Sequence, residues 1–212
     1  MSGKTTISWA HRSWNPTLGC ALAGPACTNC YAMWRAAQIA EGDGAIARAY
    51  AAVITRVNGK PVWNGRSLIM PPEVIQAPTR WQKPSVVFVD SMADLFYEGL
   101  ADEEIEGVLD VMASTPHHLF LVLTKRPSRM RALATAWAER RGLSVPLENI
   151  GLGASVWDQA SLEAAAAEVS EMPRRVRFLS AEPLLAPVSL VGVAPVEWII
   201  VGGESLSAEQ RR

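Results

Sequence analysis

The chain has 212 residues, and 49% of them are hydrophobic, which is enough for one sizeable core and predicts a single domain over residues 1–212. Lys and Arg number 20 and Asp and Glu number 21, so the net charge of −1 excludes a global electrostatic attraction to nucleic acid or acidic membranes. No apolar run reaches transmembrane length, and the first residues lack the apolar stretch of a signal peptide. We therefore expect a cytoplasmic protein without a membrane partner.

The first 84 residues contain few clear signals of regular structure. Residues 5–9 are a candidate first strand. An Ala-rich helix is predicted over residues 31–50, with a weak point at the Gly-containing run 41–44. Residues 58–84 are rich in Gly, Pro and Trp, and we expect them to be irregular apart from a short strand at residues 67–70.

From residue 85 onward, short apolar strands alternate with amphipathic helices. The strands are near-continuous apolar runs, which are typical of parallel strands buried on both faces. Apolar residues at helical spacing, such as Ile105, Val108 and Met112, predict a helix after each of the first three strands. The predicted strands lie at residues 85–90, 118–124, 149–156, 175–181 and 196–201. This pattern predicts an α/β fold built as a parallel (β/α) barrel or partial barrel, with an open doubly wound sheet as the alternative.

All three cysteines of the chain lie within eleven residues. Cys20, Cys27 and Cys30 form a C-x6-C-x2-C pattern in residues 19–31, whose Gly and Pro content indicates a loop. An odd, tightly clustered set of cysteines in a cytosolic protein favours metal or redox chemistry over a disulfide framework. Thiolates are soft ligands that favour zinc and iron–sulfur clusters.

Three interpretations of this loop are open. In a cubane [4Fe–4S] cluster held by three cysteines, the fourth iron is free to chelate S-adenosylmethionine, as radical-SAM chemistry requires. In the second interpretation, the thiols hold zinc together with a non-cysteine ligand such as His11. In the third, they are buried or free thiols whose clustering is coincidental.

Six segments make the chain similar to a phage-associated three-cysteine-motif family of largely uncharacterised proteins that are regarded as radical-SAM-like. The segments are SWNPTLGC at 13–20, CTNCYA at 27–32, FVDSMADLF at 88–96, LTKRP at 123–127, LSAEPL at 179–184 and VGGES at 201–205. The resemblance implies a radical-SAM type of barrel, a [4Fe–4S] cluster and S-adenosylmethionine as cofactors, and a phage-encoded protein partner. Together with the Cys-Tyr pair seen in nucleic-acid-repair members of the radical-SAM superfamily, it also implies a nucleotide or nucleic-acid substrate.

The chain departs from this pattern in two respects. Its cysteine spacing is longer than C-x3-C-x2-C, the commonest radical-SAM spacing. Relatives continue past residues 201–205, whereas the residues that follow here are few and almost wholly polar, so we expect a C-terminally truncated copy whose last strand has one exposed flank. The hypotheses that compete with a radical-SAM-like enzyme are a zinc-stabilised binding protein that acts with a phage-encoded partner, without catalysis, and a truncated inactive remnant.

Polar residues recur where the predicted strands end, which is where parallel α/β folds bind ligands. There, carboxylates and hydroxyls would bind the amino group and ribose of S-adenosylmethionine, paired glycines would let the backbone approach it, and a lysine would bind a carboxylate or phosphate. The candidate cofactor-binding residues are Asp94, Lys125, Ser155, Ser180, Glu182, Gly202, Gly203 and Glu204. The alternative for each is a solvated loop residue or a helix cap. His117 and His118 adjoin the start of a strand, and we interpret them as structural.

Overall fold

The computed structural model describes residues 3–143, 148–172 and 176–204, which form a mixed α/β fold around one mostly parallel sheet. The strands are β1 (Gly3–Lys4), β2 (Arg12–Trp14), β3 (Thr17–Leu18), β4 (Ile54–Val57), β5 (Lys60–Trp63), β6 (Leu68–Ile69), β7 (Val86–Val89), β8 (Leu119–Thr124), β9 (Ile150–Ser155), β10 (Arg177–Ala181) and β11 (Trp198–Val201). The helices are α1 (Tyr31–Ala40), α2 (Ala45–Val53), α3 (Pro72–Ile75), α4 (Asp102–Ala113), α5 (Pro127–Arg140) and α6 (Gln159–Ser170), with 3-10 turns at Pro25–Cys27 and Ala77–Arg80. Within these residues, no helix is long and apolar enough to cross a membrane.

The central sheet has the strand order β1-β2-β7-β8-β9-β10-β11. β1 runs antiparallel to β2, and every other neighbouring pair is parallel. From β2 to β11 the strands follow one another in chain order, so the described sheet lacks the reversal that defines a doubly wound sheet. β1 and β11 lie at opposite edges, so among the described strands there is no closed barrel.

Two apolar clusters cover the two faces of the sheet. On one face, alternate strand residues such as Val89, Val122 and Leu152 pack against α4, α5 and α6. On the other face, Leu121, Phe178 and Ile200 form a smaller cluster that Trp9 covers. The three helices that connect the parallel strands therefore pack on a single face, and within the described residues no helix packs on the other face, which leaves room there for a cavity.

The helices begin where local chemistry satisfies their first N–H groups. In α6, the Ser161 N–H donates to the carboxylate of Asp158 at 2.8 Å, which makes Asp158 the N-cap. In α4, Ala101 is the N-cap and Asp102 the first helical residue. The Glu104 carboxylate accepts a hydrogen bond from the Ala101 N–H at 3.0 Å, which completes that turn.

The structure corrects the expectations for the first 84 residues. Residues 5–9 do not form a strand. The first strand of the parallel series is β2, which begins at Arg12. The helix predicted over residues 31–50 is two helices, α1 and α2, which separate at the weak point 41–44. Part of the region expected to be irregular pairs as the β4–β5 hairpin, and the predicted strand at residues 67–70 is present as β6.

A small lobe formed by α1, α2 and the β4–β5 hairpin stands beside the sheet. Its core contains Leu18, Met33, Tyr50 and Trp63, and the side chains of Cys20 and Cys30 pack against this cluster. The lobe therefore supports one side of the cysteine loop.

The last strand, β11, lies at one edge of the sheet, where the Val201 side chain is 68% exposed. Val188 and Val193, from the segment before this strand, pack against the same core cluster as Ile199. Exposure of the strand is therefore greatest at its carboxyl end, and not along a whole flank as the sequence led us to expect.

Candidate metal and cofactor site

One cavity of about 650 Å³ lies at the carboxyl edge of the central sheet, within the usual size range of ligand pockets. The sequence-predicted residues on its wall are Cys20, Cys27, Cys30, Asp94, Lys125, Ser155, Ser180, Glu182, Gly203 and Glu204. Gly202 lies directly behind the wall, where a Cβ would be only 2.1 Å from Glu182 Oε1. Glycine at position 202 thus lets the Glu182 carboxylate approach the backbone of the last strand.

The cysteine loop follows β3 and begins at Gly19. The φ of Gly19 is +83°, and a Cβ there would lie 2.2 Å from the carbonyl oxygen of Arg66, so only glycine fits. The chain then folds into the 3-10 turn that ends at Cys27, whose N–H donates to the Gly24 carbonyl at 3.0 Å. Cys30 is the N-cap of α1, so the loop ends where that helix begins.

Two contacts fix the start of the loop to the carboxyl ends of β7 and β8. Gly19 forms a parallel β-bridge with Ala93, in the segment after β7. The guanidinium of Arg126, which follows β8, donates through Nη2 to the Ala21 carbonyl at 3.2 Å. Cys20 is therefore held between two backbone contacts.

Two further contacts fix the rest of the loop to the ends of β9 and β11. Gly24 packs on the ring of Trp157, so closely that a Cβ on Gly24 would lie 2.8 Å from the ring. The Asn29 side chain donates through Nδ2 to Glu204 Oε2 at 3.2 Å. The loop thus extends across the carboxyl edge, with contacts from β7 to β11.

The three thiols form no disulfide, and the environment of Cys20 and Cys30 disfavours the thiolate. Burial is the main cause that raises the pKa of Cys20 to about 12; the nearby Asp94 carboxylate contributes to this rise, and Arg126 opposes it. Burial also raises the pKa of Cys30. Binding of any metal would therefore have to displace thiol protons at neutral pH.

Asp94 is buried, and its carboxylate is fully engaged within the protein. Oδ1 accepts hydrogen bonds from the Phe96 N–H at 3.0 Å and the Thr124 hydroxyl at 2.6 Å. Oδ2 accepts from the Lys125 N–H at 3.0 Å and from Arg126 Nη1 at 2.9 Å. Four bonds use the usual acceptor capacity of a carboxylate. Asp94 therefore orders the turn after β8, and its oxygens are not available to a cofactor in the way the sequence suggested.

Arg126 connects this turn to the cysteine loop. Its side chain is 9% exposed, and its Nε donates to Glu98 at 2.6 Å in addition to the contacts with Asp94 and Ala21. The guanidinium carbon also lies 4.8 Å from the centre of the Tyr97 ring. The neighbouring Lys125 forms no ion pair among the residues that the structure describes, so its ammonium is the uncommitted cation of the two.

Ser155 and Ser180 face each other across the β9–β10 pair, on the face of the sheet that carries the cavity. The Ser180 hydroxyl donates to Glu182 Oε2 at 3.1 Å. This part of the wall therefore carries the hydroxyls of Ser155 and Ser180 and the carboxylates of Glu182 and Glu204. It also carries the ammonium of Lys125.

The family model for a protein of unknown function, DUF5131, matches residues 4–212. The chain belongs to the DUF5131 family. No curated protein and no solved structure matched the chain.

Two features of the cavity in this DUF5131 chain lie outside the candidate cofactor-binding residues given above, although the sequence places Asp90, like Asp94, at the end of a predicted strand. Asp90 is buried on the cavity wall with a φ of +55°, and Thr17 donates to it through its hydroxyl at 2.8 Å and its N–H at 3.2 Å. Burial raises the pKa of Asp90 to about 7, against the opposing effect of the Thr17 hydrogen bonds. Residues 5–9 also line the cavity. No local sequence pattern predicts this position, because it depends on how the chain crosses the helix-free face of the sheet.

The histidines lie at the opposite, amino edge of the sheet. His11 immediately precedes β2, and its Nδ1 accepts a hydrogen bond from the Val86 N–H at 3.0 Å. The DUF5131 chain therefore does not bring His11 to the thiols as the fourth zinc ligand considered from the sequence. His117 and His118 precede β8, where their Nε2 atoms contact the carbonyls of Trp81 and Pro78, as expected of structural residues.

Proposed function

We propose that this protein is a radical-SAM-like enzyme that binds a [4Fe–4S] cluster through Cys20, Cys27 and Cys30. The observation that carries the proposal is the placement of three free thiols on one loop, over the carboxyl edge of a parallel sheet and in the same cavity as Glu182 and Glu204. Carboxyl edges of parallel sheets are where such folds bind cofactors. The cavity adjoining the thiols is the proposed site for S-adenosylmethionine.

The three thiols match the ligand count of an open-site cluster, in which three thiolates each bind a different iron. A structural zinc site needs a fourth ligand, and His11, considered for that role, lies at the other edge of the sheet. Among the described residues, no three His, Cys, Asp or Glu side chains are grouped to hold a metal ion, so their spacing by itself favours neither centre. When bound, such a cluster leaves one iron open to S-adenosylmethionine and supplies the electron that cleaves its sulfonium.

The polar wall residues suit the rest of that cofactor. The Glu182 carboxylate would accept hydrogen bonds from its amino group, and Lys125 would pair with its carboxylate. The hydroxyls of Ser155 and Ser180 would bind the ribose. Asp94 takes no direct part in this proposal, because it holds the turn from which Lys125 and Arg126 project.

The open sheet is, in this proposal, a partial barrel of the radical-SAM type. Six parallel strands follow one another in chain order, and α4, α5 and α6 all pack on one face. Both features are those of a singly wound sheet, which curls with its helices outside. The thiols and the predicted cofactor ligands would then lie at the mouth of the barrel.

The charged residues of the cavity do not favour a polyphosphate substrate. Its wall carries four acidic residues, Asp90, Asp94, Glu182 and Glu204, and two basic ones. Of the basic residues, Arg126 is already paired with carboxylates, so Lys125 is the cation on this wall that is available to a phosphate. The nucleotide or nucleic-acid substrate implied by the family resemblance therefore receives no support from the lining, because phosphate recognition uses unpaired cations.

The test is anaerobic reconstitution with iron and sulfide, followed by metal analysis. We expect about four irons per chain and a brown charge-transfer absorbance. Changing any one of Cys20, Cys27 or Cys30 to Ala should abolish both. Thr28→Ala is the matched control, because Thr28 lies in the same loop, is exposed, and its hydroxyl donates to the Pro25 carbonyl of that loop. Stoichiometric zinc without iron uptake would refute the cluster.

A second measurement tests the chemistry. Reduced, reconstituted protein should convert S-adenosylmethionine to 5′-deoxyadenosine, detected by chromatography, and the three cysteine variants should not. A protein that binds the cluster but leaves S-adenosylmethionine intact under reduction would refute the enzymatic part of the proposal while leaving the metal site standing.

A further inference from the structure

Cationic side chains collect at the amino edge of the central sheet, on the side away from the cysteine loop. Lys4 lies on β1, Arg12 begins β2, and Arg80 and Lys83 lie in the segment that leads into β7. We call these four residues the amino-edge patch. Lys4, Arg80 and Lys83 are exposed, and Arg12 is partly so.

The structure brings the members of the patch together around Trp81. The guanidinium carbon of Arg12 lies 4.8 Å from the centre of the Trp81 ring. Lys4 is the direct cross-strand partner of Arg12. Arg80 and Lys83 lie within two residues of Trp81 in the chain, so the four cationic residues are neighbours through Arg12 and Trp81.

None of the four cations forms an ion pair with another residue that the structure describes. Arg80 donates to the backbone carbonyl of Glu73 and not to its carboxylate. Basic residues on the helical face behave differently, since Arg131 and Arg141 pair with carboxylates. Lys4 and Arg12 lie directly opposite each other across the strands, and like charges in such a pair are destabilising. Because no described carboxylate pairs with the four cations, this surface retains its positive charge.

A buried histidine lies beneath Trp81, the residue at the centre of the patch. The His118 ring packs edge-on against Trp81, with 5.7 Å between the ring centres. Burial lowers the pKa of His118, and the charges of His117 and Arg12 also lower it. Arg12 is therefore close enough to act on a side chain below the surface.

We infer that the amino-edge patch binds the phosphate backbone of nucleic acid without regard to sequence. Four unpaired cations on one surface supply the contacts that non-specific binding uses. The net charge of −1 means that this local patch, and not the whole molecule, provides the attraction. The patch lies at the edge opposite the cavity, so the inference does not rest on the proposed function.

The surface fits a polynucleotide better than a membrane. Segments that lie in anionic membranes combine cations with large apolar side chains that insert among the lipids. The exposed large hydrophobic residues of the described chain lie elsewhere: Leu22, Tyr31, Val57, Leu184, Leu185, Leu190, Val191 and Val201. Trp81 is half-buried beneath Arg12, so the patch offers charge without an exposed large apolar side chain among the described residues.

The experiment measures binding of the metal-free full chain to a fluorescently labelled DNA duplex of about 20 base pairs by anisotropy, at several salt concentrations. If all four cations contact phosphates, the logarithm of the binding constant should fall with the logarithm of the salt concentration with a slope of about −3 to −4. That slope predicts a loss of about a hundredfold between roughly 50 mM and 200 mM salt.

The deciding variant is Lys4→Glu/Lys83→Glu, which changes two exposed side chains. It should weaken binding by tenfold or more at low salt and flatten the salt slope. The control is Arg56→Glu/Lys60→Glu in the β4–β5 hairpin, which changes the net charge equally and should bind as the unchanged chain does. Equal losses in both variants, no binding by the unchanged chain, or stronger binding to vesicles of anionic phospholipid than to DNA would each overturn the inference.

Discussion

Arg126 is the residue whose replacement should most clearly separate the parts of the site. Its buried guanidinium bonds Asp94, Glu98 and the Ala21 carbonyl at once. Changing Arg126 to Met keeps most of the side-chain volume but removes all three contacts. The Asp94 carboxylate, which is 8% exposed, would then be left as a buried charge without its partner.

The magnitude follows from which contacts are buried. Removing one partner of a buried ion pair costs about 3–5 kcal/mol, because the other charge remains desolvated. The Asp94 carboxylate keeps three hydrogen bonds, so we take the lower end, about 3 kcal/mol. The Glu98 contact adds little, because that side chain is 63% exposed. For a domain of this size, 3 kcal/mol lowers the melting temperature by about 6–12 °C.

The assay is thermal and urea unfolding of Arg126→Met, Asp94→Asn and the double variant. Each single change leaves a buried partner unsatisfied, so the double variant should lose clearly less than the sum of the two. Glu98→Gln is the control for the exposed contact and should shift stability by less than about 1 kcal/mol. A loss in Arg126→Met no larger than in Glu98→Gln would refute the reasoning, as would strict additivity of the two single changes.

Three further predictions concern single positions. Gly19→Ala should lower the free energy of unfolding by about 2 kcal/mol or more, because of the positive φ and the Arg66 carbonyl, whereas Gly107→Ala on the exposed side of α4 should raise it by about 0.5–1 kcal/mol in the same urea titration. Gly202→Ala should weaken S-adenosylmethionine binding to reconstituted protein about tenfold by displacing Glu182, and Gly107→Ala, which lies on α4 away from the cavity, should not; calorimetry distinguishes them. The folded-state pKa of Asp90, about 7, lies above its unfolded value of 3.8, so this group disfavours folding as the pH rises from about 4 through 7. Asp90→Asn should therefore gain stability relative to the unchanged chain between pH 5 and pH 8, and a constant difference would contradict the buried-carboxyl reading.

The second half of the fold is predictable because its strands are buried on both faces. Runs such as residues 119–123 are apolar throughout because helices cover one side of the sheet and an inner cluster covers the other. The α/β class and the mostly parallel sheet are accordingly confirmed. The same rule brings Ser155, Ser180 and Glu182 to one edge, since residues that end parallel strands share that edge.

The first half is less predictable because its short elements are stabilised by distant contacts. β2 has three residues, and it is a strand because it pairs with β7, which lies more than seventy residues later. Residues 5–9 have strand-like composition, yet Trp9 packs across the open face against Phe88 and Trp198. Local propensity cannot distinguish these outcomes, since both place apolar residues against the sheet.

The position of the cysteine loop shows why spacing alone does not define a metal site. A C-x6-C-x2-C segment specifies three thiols and little about where they lie. Their location depends on Gly24 against Trp157 and on Arg126 reaching the Ala21 carbonyl, and neither partner belongs to the motif. Asp94 is the opposite case, because its position suggested a ligand and its contacts give it a structural role. It stands at a strand end, where a ligand was expected, yet its hydrogen bonds commit it to orienting Arg126. Residues of this kind act on the cysteines through the backbone of the loop, so their replacement should change how well the loop is held before it changes any contact with a cofactor.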